Sequence, residues 1–273
     1  MRKVAVIPTL LTLGNAVCGF ASITLASKIG RNDTPLQTDF LFAASGWLII
    51  AAMGFDVLDG FVARLSRSTS MFGLQLDSLC DAISFGLAPA FLLLRLGPDW
   101  DPVLPLHQVL AVIATLYMVC AILRLARFNV ETAPDPLGGK RFRGLPSPAA
   151  AGCIASLAIL RGEISLRFPS IDSARVSTLL QAWSVLGAIG VALLMVSRFP
   201  YPHLTKQILG GKRSLIHIVQ VILGVCVIYL FREVAMALVF WLYALAIPLQ
   251  SILRRSSMAA KPAPKLGDGI SPH

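Results

Sequence analysis

Four aspartates and two arginines lie between two strongly apolar stretches of this 273-residue chain, in the segment DVLDGFVARLSRSTSMFGLQLDSLCD from Asp56 to Asp81. A carboxylate taken out of water is strongly disfavoured unless it is paired or bound to a cation. Acids set beside hydrophobic runs of membrane length therefore point to function. Asp56 and Asp59 are at i,i+3 and Asp77 and Asp81 at i,i+4, so each pair shares one helix face. Like charges at those spacings repel. Two facing helices could together offer all four carboxylates, as helical bundles do when they build a two-metal site. Oxygen ligands favour a hard cation, Mg²⁺ or Mn²⁺. Gly60, Ala63 and Gly73 surround the acids, and small residues let helices approach closely or leave room for a ligand. Arg64, on roughly the same face as Asp56, suits a phosphate-bearing substrate beside metal-bound carboxylates. The acids could instead form structural ion networks with Arg64, Arg67 and Arg124, but the full spacing argues for a site.

The elements that must position these residues are membrane helices. The chain is 56% hydrophobic and only 14% charged, against about 25% charged in an average soluble domain. The apolar runs are long and continuous rather than short and alternating, which excludes a membrane β-barrel. The expected architecture is all-α, a polytopic transmembrane helical bundle of about eight spans, near 9–28, 40–63, 74–96, 104–127, 147–166, 176–197, 215–232 and 234–252. Residues 1–255 form one catalytic domain, and the Lys/Pro/Gly/Ser-rich stretch 256–273 reads as a disordered tail. No cleavable leader is expected, and the first apolar helix stays in place. The five cysteines are scattered one per apolar segment, without metal-ligand spacing, and read as unpaired thiols of the membrane core. Glycines 152, 187, 190 and 224 suit helix contacts.

A formal charge of +10 could point to nucleic acid. Its distribution points to membrane topology instead. With both termini in the cytoplasm, most of the 24 basic residues fall on the cytoplasmic side, as the positive-inside rule requires. Arg2, Lys3, Lys212, Arg213, Arg254 and Arg255 serve there as contacts to anionic lipid. In this topology the second span carries Asp56 and Asp59 to its cytoplasmic end, and the third opens on the same face with Asp77 and Asp81. Both acid pairs therefore meet at one membrane surface. That surface also receives Arg124 and Arg127, at i,i+3 near the end of the fourth span, and Lys140, Arg141 and Arg143 on a Pro/Gly-rich linker. These five form an anion-binding wall for a phosphate or a carboxylate.

The pattern D-x2-D-G-x2-A-R-x8-G-x3-D-x3-D is matched without a gap by Asp56, Asp59, Gly60, Ala63, Arg64, Gly73, Asp77 and Asp81. In this the chain resembles the CDP-alcohol phosphatidyltransferase family of integral membrane enzymes. Three further pieces resemble the bacterial branch of that family whose acceptor is L-serine: the run from Leu76 to Gly86, the run Arg124-Leu125-Ala126-Arg127-Phe128-Asn129, and Phe142-Arg143-Gly144-Leu145-Pro146-Ser147-Pro148. Gly14-Asn15 and Cys18-Gly19-Phe20 fit as well, while Thr9 stands where such enzymes often carry asparagine. The resemblance covers residues 5–160 well and the rest mainly by hydrophobic layout.

The resemblance implies the CDP-alcohol phosphatidyltransferase fold and a reaction in which CDP-diacylglycerol and L-serine give phosphatidylserine and CMP. It implies Mg²⁺ or Mn²⁺, two ions, held by Asp56, Asp59 and Asp77, with Asp81 as a shared ligand and the general base. Gly60, Ala63, Arg64, Ser66, Thr69 and Gly73 would border CDP-diacylglycerol, and one or more of Arg124, Arg127, Lys140, Arg141 and Arg143 would hold the carboxylate of serine. It further implies a homodimer in the bacterial cytoplasmic membrane, surrounded by lipid, with no nucleic-acid partner. The nearest rival keeps the fold and changes the acceptor to glycerol 3-phosphate, inositol phosphate or choline. A transporter would instead spread its acids across spans near the midplane.

Overall fold

The computed structural model describes residues 6–30, 33–65, 71–97, 106–132, 144–167, 173–197, 199 and 232–259. Every regular element among them is helical: α1 (Val6–Ser27), α2 (Pro35–Leu65), α3 (Met71–Asp81), a π-helical segment (Ala82–Leu87), α4 (Ala88–Leu96), α5 (Leu106–Thr132), α6 (Ser147–Arg167), α7 (Ser173–Val196) and α8 (Arg232–Ala259). The expected third span is thus α3, the π-helical segment and α4 in unbroken succession. Its π-helical interior was not foreseen. Among the described residues, five helical spans are long and apolar enough to cross a membrane: Val6–Ser27, Pro35–Ala63, Met71–Leu96, Gln108–Val130 and Arg175–Val196. The chain is a multi-pass membrane protein on that ground. Apart from Arg232, the expected span at 215–232 lies outside the described residues, as does 260–273; α8 runs on to Ala259.

Helix α6 is the axis of the bundle. From Ala150 to Ile159 every residue is buried, because α2, α4, α7 and α8 pack around it. A helix covered on all sides needs no polar face, and this stretch reads AAGCIASLAI. Its small side chains allow close crossings. A Cβ on Gly46 of α2 would lie 2.7 Å from the Ala155 carbonyl oxygen, and one on Gly162 would collide with the Asp39 carbonyl. Two of the four glycines expected at helix contacts lie against α8, Gly152 on Phe240 and Gly187 on Trp241. Gly190 instead faces open space among the described residues, and Gly224 lies outside them.

At the end of the bundle away from the acids, arginines close helix C-termini. Arg95 donates to the Ser27 carbonyl and Arg161 to the Leu96 carbonyl, each at 3.4 Å, and the Arg161 guanidinium sits 4.2 Å over the Phe42 ring. Cations there meet the otherwise unsatisfied last carbonyls and the negative end of the helix dipole. The four cysteines among the described residues, Cys18, Cys80, Cys120 and Cys153, are all unbridged, as expected.

Candidate active site

The C-terminal part of α2 lies opposite α3, so the i,i+3 spacing of Asp56 and Asp59 turns both toward Asp77. One carboxylate oxygen from each of these three residues lies within 4.8 Å of the other two. Asp59 is buried, and Asp56 and Asp77 are half-buried. Some of this negative charge is met by the Gly60 backbone N–H, which reaches Asp59, and the Thr12 side chain of α1 lies beside the same carboxylate with its hydroxyl donating to the Pro8 carbonyl at 3.0 Å. Asp59 Oδ2 and Asp77 Oδ1 are nevertheless buried without a hydrogen-bond partner among the described residues. Unmet carboxylate oxygens crowded in a dry site are unfavourable until a cation joins them. A donor set made only of oxygen fits a hard divalent ion. These residues therefore fit the metal centre that the spacing implied.

Asp81 stands apart. Sequence spacing placed it with the other three, but the close cluster consists of Asp56, Asp59 and Asp77. Asp81 is buried, and its Oδ1 accepts a hydrogen bond from Asn15 Nδ2 at 2.9 Å. It still lies near enough to Asp56, Asp77 and Asp59 to feel their charge.

Among the described residues, Arg124 is a cation that the structure brings to the acids. Its charge acts on Asp81 and Asp56, and on Tyr243 of α8. Its Nη1 donates to Ser147 Oγ at 2.8 Å, and its Cζ lies 5.9 Å from the Phe128 ring centroid. Ser147 is fully buried where α6 begins, so this bond ties the end of the Pro/Gly-rich linker to α5. The linker is pinned on its other side as well. Gly144 N–H donates to the Phe199 carbonyl at 2.9 Å and Leu145 N–H to the Leu194 carbonyl at 3.0 Å. Gly144 has φ 90°, and a Cβ there would collide with the Met195 carbonyl. Glycine is required at that point.

Of the other expected site residues, Gly60 and Ala63 are half-buried on α2 just beyond Asp59, and Gly73 is half-buried in the first turn of α3. Arg127 lies half-buried on α5, one turn from Arg124. The backbone of Arg64 belongs to α2, but its side chain lies outside the described residues, as do Ser66, Thr69, Lys140, Arg141 and Arg143.

Several positioning residues escaped the sequence reading. The buried face of α1 is Thr12, Asn15, Gly19, Ser22 and Ala26, a polar and small-residue seam at alternating spacings of three and four. Thr12 lies beside Asp59 and Asn15 reaches Asp81. Asn129 of α5 donates to Ser78 Oγ at 2.8 Å, and the Ser78 hydroxyl donates to the Leu74 carbonyl at 3.1 Å, which fastens α3 beside α5. The signal available was periodic: an asparagine and a threonine one turn apart on an otherwise apolar span mark a helix face with partners.

A profile of the CDP-alcohol phosphatidyltransferase family matches residues 5–196. The chain is 34% identical over 200 residues to the archaetidylserine synthase of Methanothermobacter thermautotrophicus, covering 72% of this chain and 69% of that protein. It is 31% identical over 201 residues to the CDP-diacylglycerol–serine O-phosphatidyltransferase of Helicobacter pylori, covering 73% of each. Its identity to the protein of the same name from Bacillus subtilis is 30% over 201 residues, 74% of this chain and 92% of that one. The matched region contains all four aspartates, both faces of the carboxylate cluster and the Asn15 and Arg124 contacts, and the chain belongs to the CDP-alcohol phosphatidyltransferase family.

Proposed function

We propose that this protein is a phosphatidyltransferase that moves the phosphatidyl group of CDP-diacylglycerol to L-serine, giving phosphatidylserine and CMP. The observation that carries the reading is the arrangement of the acids. Three carboxylates with unmet oxygens form one cluster, and a fourth is held separately by an amide. The names of the three relatives all carry serine, two with CDP-diacylglycerol and one with an archaetidyl lipid.

In this reading Asp56, Asp59 and Asp77, with Asp81 as a shared ligand, would hold divalent metal, Mg²⁺ or Mn²⁺ and two ions, which when bound offsets charge on the diphosphate and on the leaving phosphate. The serine hydroxyl attacks the phosphorus that bears diacylglycerol. A new P–O bond to serine forms as the P–O bond to CMP breaks. The hydroxyl proton passes to Asp81, which acts as general base and lies close enough to the cluster to serve it. CMP departs with the bridging oxygen. Gly60, Ala63 and Gly73 border the CDP portion by virtue of small size, with Arg64, Ser66 and Thr69 beside them. Arg124 binds the carboxylate of serine, since it is the described basic residue whose charge already reaches Asp81 and Asp56. Arg127, Lys140, Arg141 and Arg143 extend the same basic wall.

The charge distribution supports insertion in the bacterial cytoplasmic membrane with about eight spans, site and termini facing the cytoplasm. The diacylglycerol tails then stay in lipid while CDP and serine arrive from water. The homodimer and the division into a catalytic domain and a tail, 1–255 and 256–273, belong to the same proposal.

The test is CMP release by purified protein in detergent with CDP-diacylglycerol and Mn²⁺ or Mg²⁺. L-serine, glycerol 3-phosphate, inositol phosphate and choline are supplied singly, and Asp81→Asn is run in parallel. Release that depends on serine and disappears in Asp81→Asn is the expected result. Release with another acceptor alone keeps the metal site and removes serine from the assignment.

A further inference from the structure

The α1 helix holds one contact that the reaction above does not use. We infer that Asn15 is a positioning residue for Asp81, setting the orientation of its carboxyl group for proton transfer, an inference that rests on the serine-transfer reading.

Asn15 is fully buried, and its Nδ2 donates to Asp81 Oδ1 at 2.9 Å across two helices. An amide nitrogen cannot accept a proton. It therefore occupies one carboxylate oxygen as a fixed donor, restrains rotation of the carboxyl group and leaves the second oxygen for the nucleophile. The amide is itself held by its backbone. The Asn15 carbonyl accepts from Ser84 Oγ at 2.9 Å, and Ser84 lies in the π-helical segment that begins directly after Asp81. One turn further along α1, Gly19 brings the two backbones together: a Cβ there would lie 2.7 Å from Ser84 Cα. The wide turn of a π-helix, the glycine and the serine thus lock α1 to the third span beside the putting point of the Asp81 side chain.

A second detail argues for a role beyond joining helices. Asn15 Oδ1 is buried and has no hydrogen-bond partner among the described residues. An asparagine kept only to bind two helices together gains little from a buried, unmet acceptor. Holding Asp81 gives the Asn15 amide a purpose that joining helices does not.

The two roles separate in kinetics. Asn15→Leu keeps a similar volume and removes the amide. The positioning role predicts a fall in kcat of about 30-fold, with KM for both substrates within about threefold of wild type, because misplacing a catalytic group acts on the chemical step. The melting temperature in detergent should move by only a few degrees. Ser84→Ala leaves every side chain around the carboxylates in place and loosens only the hold on Asn15, and it should lower kcat by about threefold. The inference is overturned if kcat of Asn15→Leu stays within twofold of wild type, or if activity falls only in step with the amount of folded protein. Should Asn15→Leu fail to fold, an unchanged kcat in Ser84→Ala overturns it by itself. Absence of serine-dependent CMP release from the wild-type protein would remove the serine reading instead, so the two failures are told apart in one assay.

Discussion

The middle of α6 and the ends of α2 and α3 are both buried, yet they are built on opposite principles. Around α6 the chain is organised by size: alanine and glycine let α2, α7 and α8 come close, and the Ser156 hydroxyl is met by the Cys153 carbonyl at 3.0 Å. Its neighbourhood has unmet buried groups too, Ser45 Oγ and Trp241 Nε1, but these are neutral. Around Asp56, Asp59 and Asp77 the chain is organised by charge, with like charges crowded and carboxylate oxygens left unmet. The first region serves stability. The second sets stability aside for a ligand, which is how functional sites depart from good packing.

Substituting one acid is the strongest way to break this contrast. In Asp59→Asn, CMP release should fall by about 10³-fold or more, the scale of losing charge stabilisation at a diphosphate. The metal-free protein should melt no lower than wild type, because a repelling charge is gone. Thermal unfolding in detergent beside the activity assay checks both halves. A melting temperature that collapses along with activity would make the acids structural and erase the distinction between the regions.

Gly46→Val probes the other side. Its added bulk meets the Ala155 carbonyl and Ile159 at the α2–α6 crossing. Overpacking of this kind costs about 1–3 kcal/mol. Stability should drop, whereas the protein that does fold should keep its kcat. Titrating CMP release against the monodisperse fraction from size-exclusion chromatography separates the two effects. An unstable variant whose folded fraction is also catalytically dead would show that the α6 core shapes the site directly.

Arg124 belongs to both regions, since it reaches the acids and also the buried Ser147 where α6 starts. Arg124→Lys keeps the charge and loses the planar donor fork. KM for serine should rise by about tenfold, the loss of one good charged hydrogen bond, with KM for CDP-diacylglycerol moving less. Initial rates across a serine series measure this. An unchanged KM for serine would move the carboxylate site to Arg127 or to the linker residues Lys140, Arg141 and Arg143.

How far each region could be read in the sequence follows from the same contrast. The acids were legible because charges in apolar sequence are rare, and helical spacing alone put Asp56 and Asp59 on one face. What spacing could not show was that Asn15 arrives from another helix to donate to Asp81. On α1 the sequence reading noted Gly14-Asn15 and Cys18-Gly19-Phe20 only as pieces of a resemblance, so Thr12 and Asn15 received no role although they lie one turn apart. Beyond Ala149 glycines at helix contacts were singled out and no site residue was, which describes α6 well but overlooks Tyr243, whose hydroxyl group feels the Arg124 charge. The π-helical segment, Ala82 to Leu87, had a signal that went unused: Pro89 has no backbone N–H to offer the Phe85 carbonyl four residues before it.

That segment is where the two regions touch, and Tyr117 offers the gentlest test of how tightly. Tyr117 is fully buried on α5 in the core around α6, and its hydroxyl donates to the Phe85 carbonyl at 3.2 Å, inside the π-helical turn that follows Asp81. A π-helix bonds its carbonyls one residue further along than an α-helix, so an outside donor helps to hold the wider turn. Tyr117→Phe preserves the ring and removes that donor. It should cost about 1 kcal/mol of stability, the usual worth of one hydrogen bond, and leave kcat within about twofold of wild type. The reason for expecting so little on kcat is that Asp81 has a nearer hold in Asn15, which Tyr117 does not touch. A fall in kcat of tenfold or more at unchanged KM would mean that the π-helical turn carries strain from the core to Asp81, and that scaffold and site act as one mechanical unit.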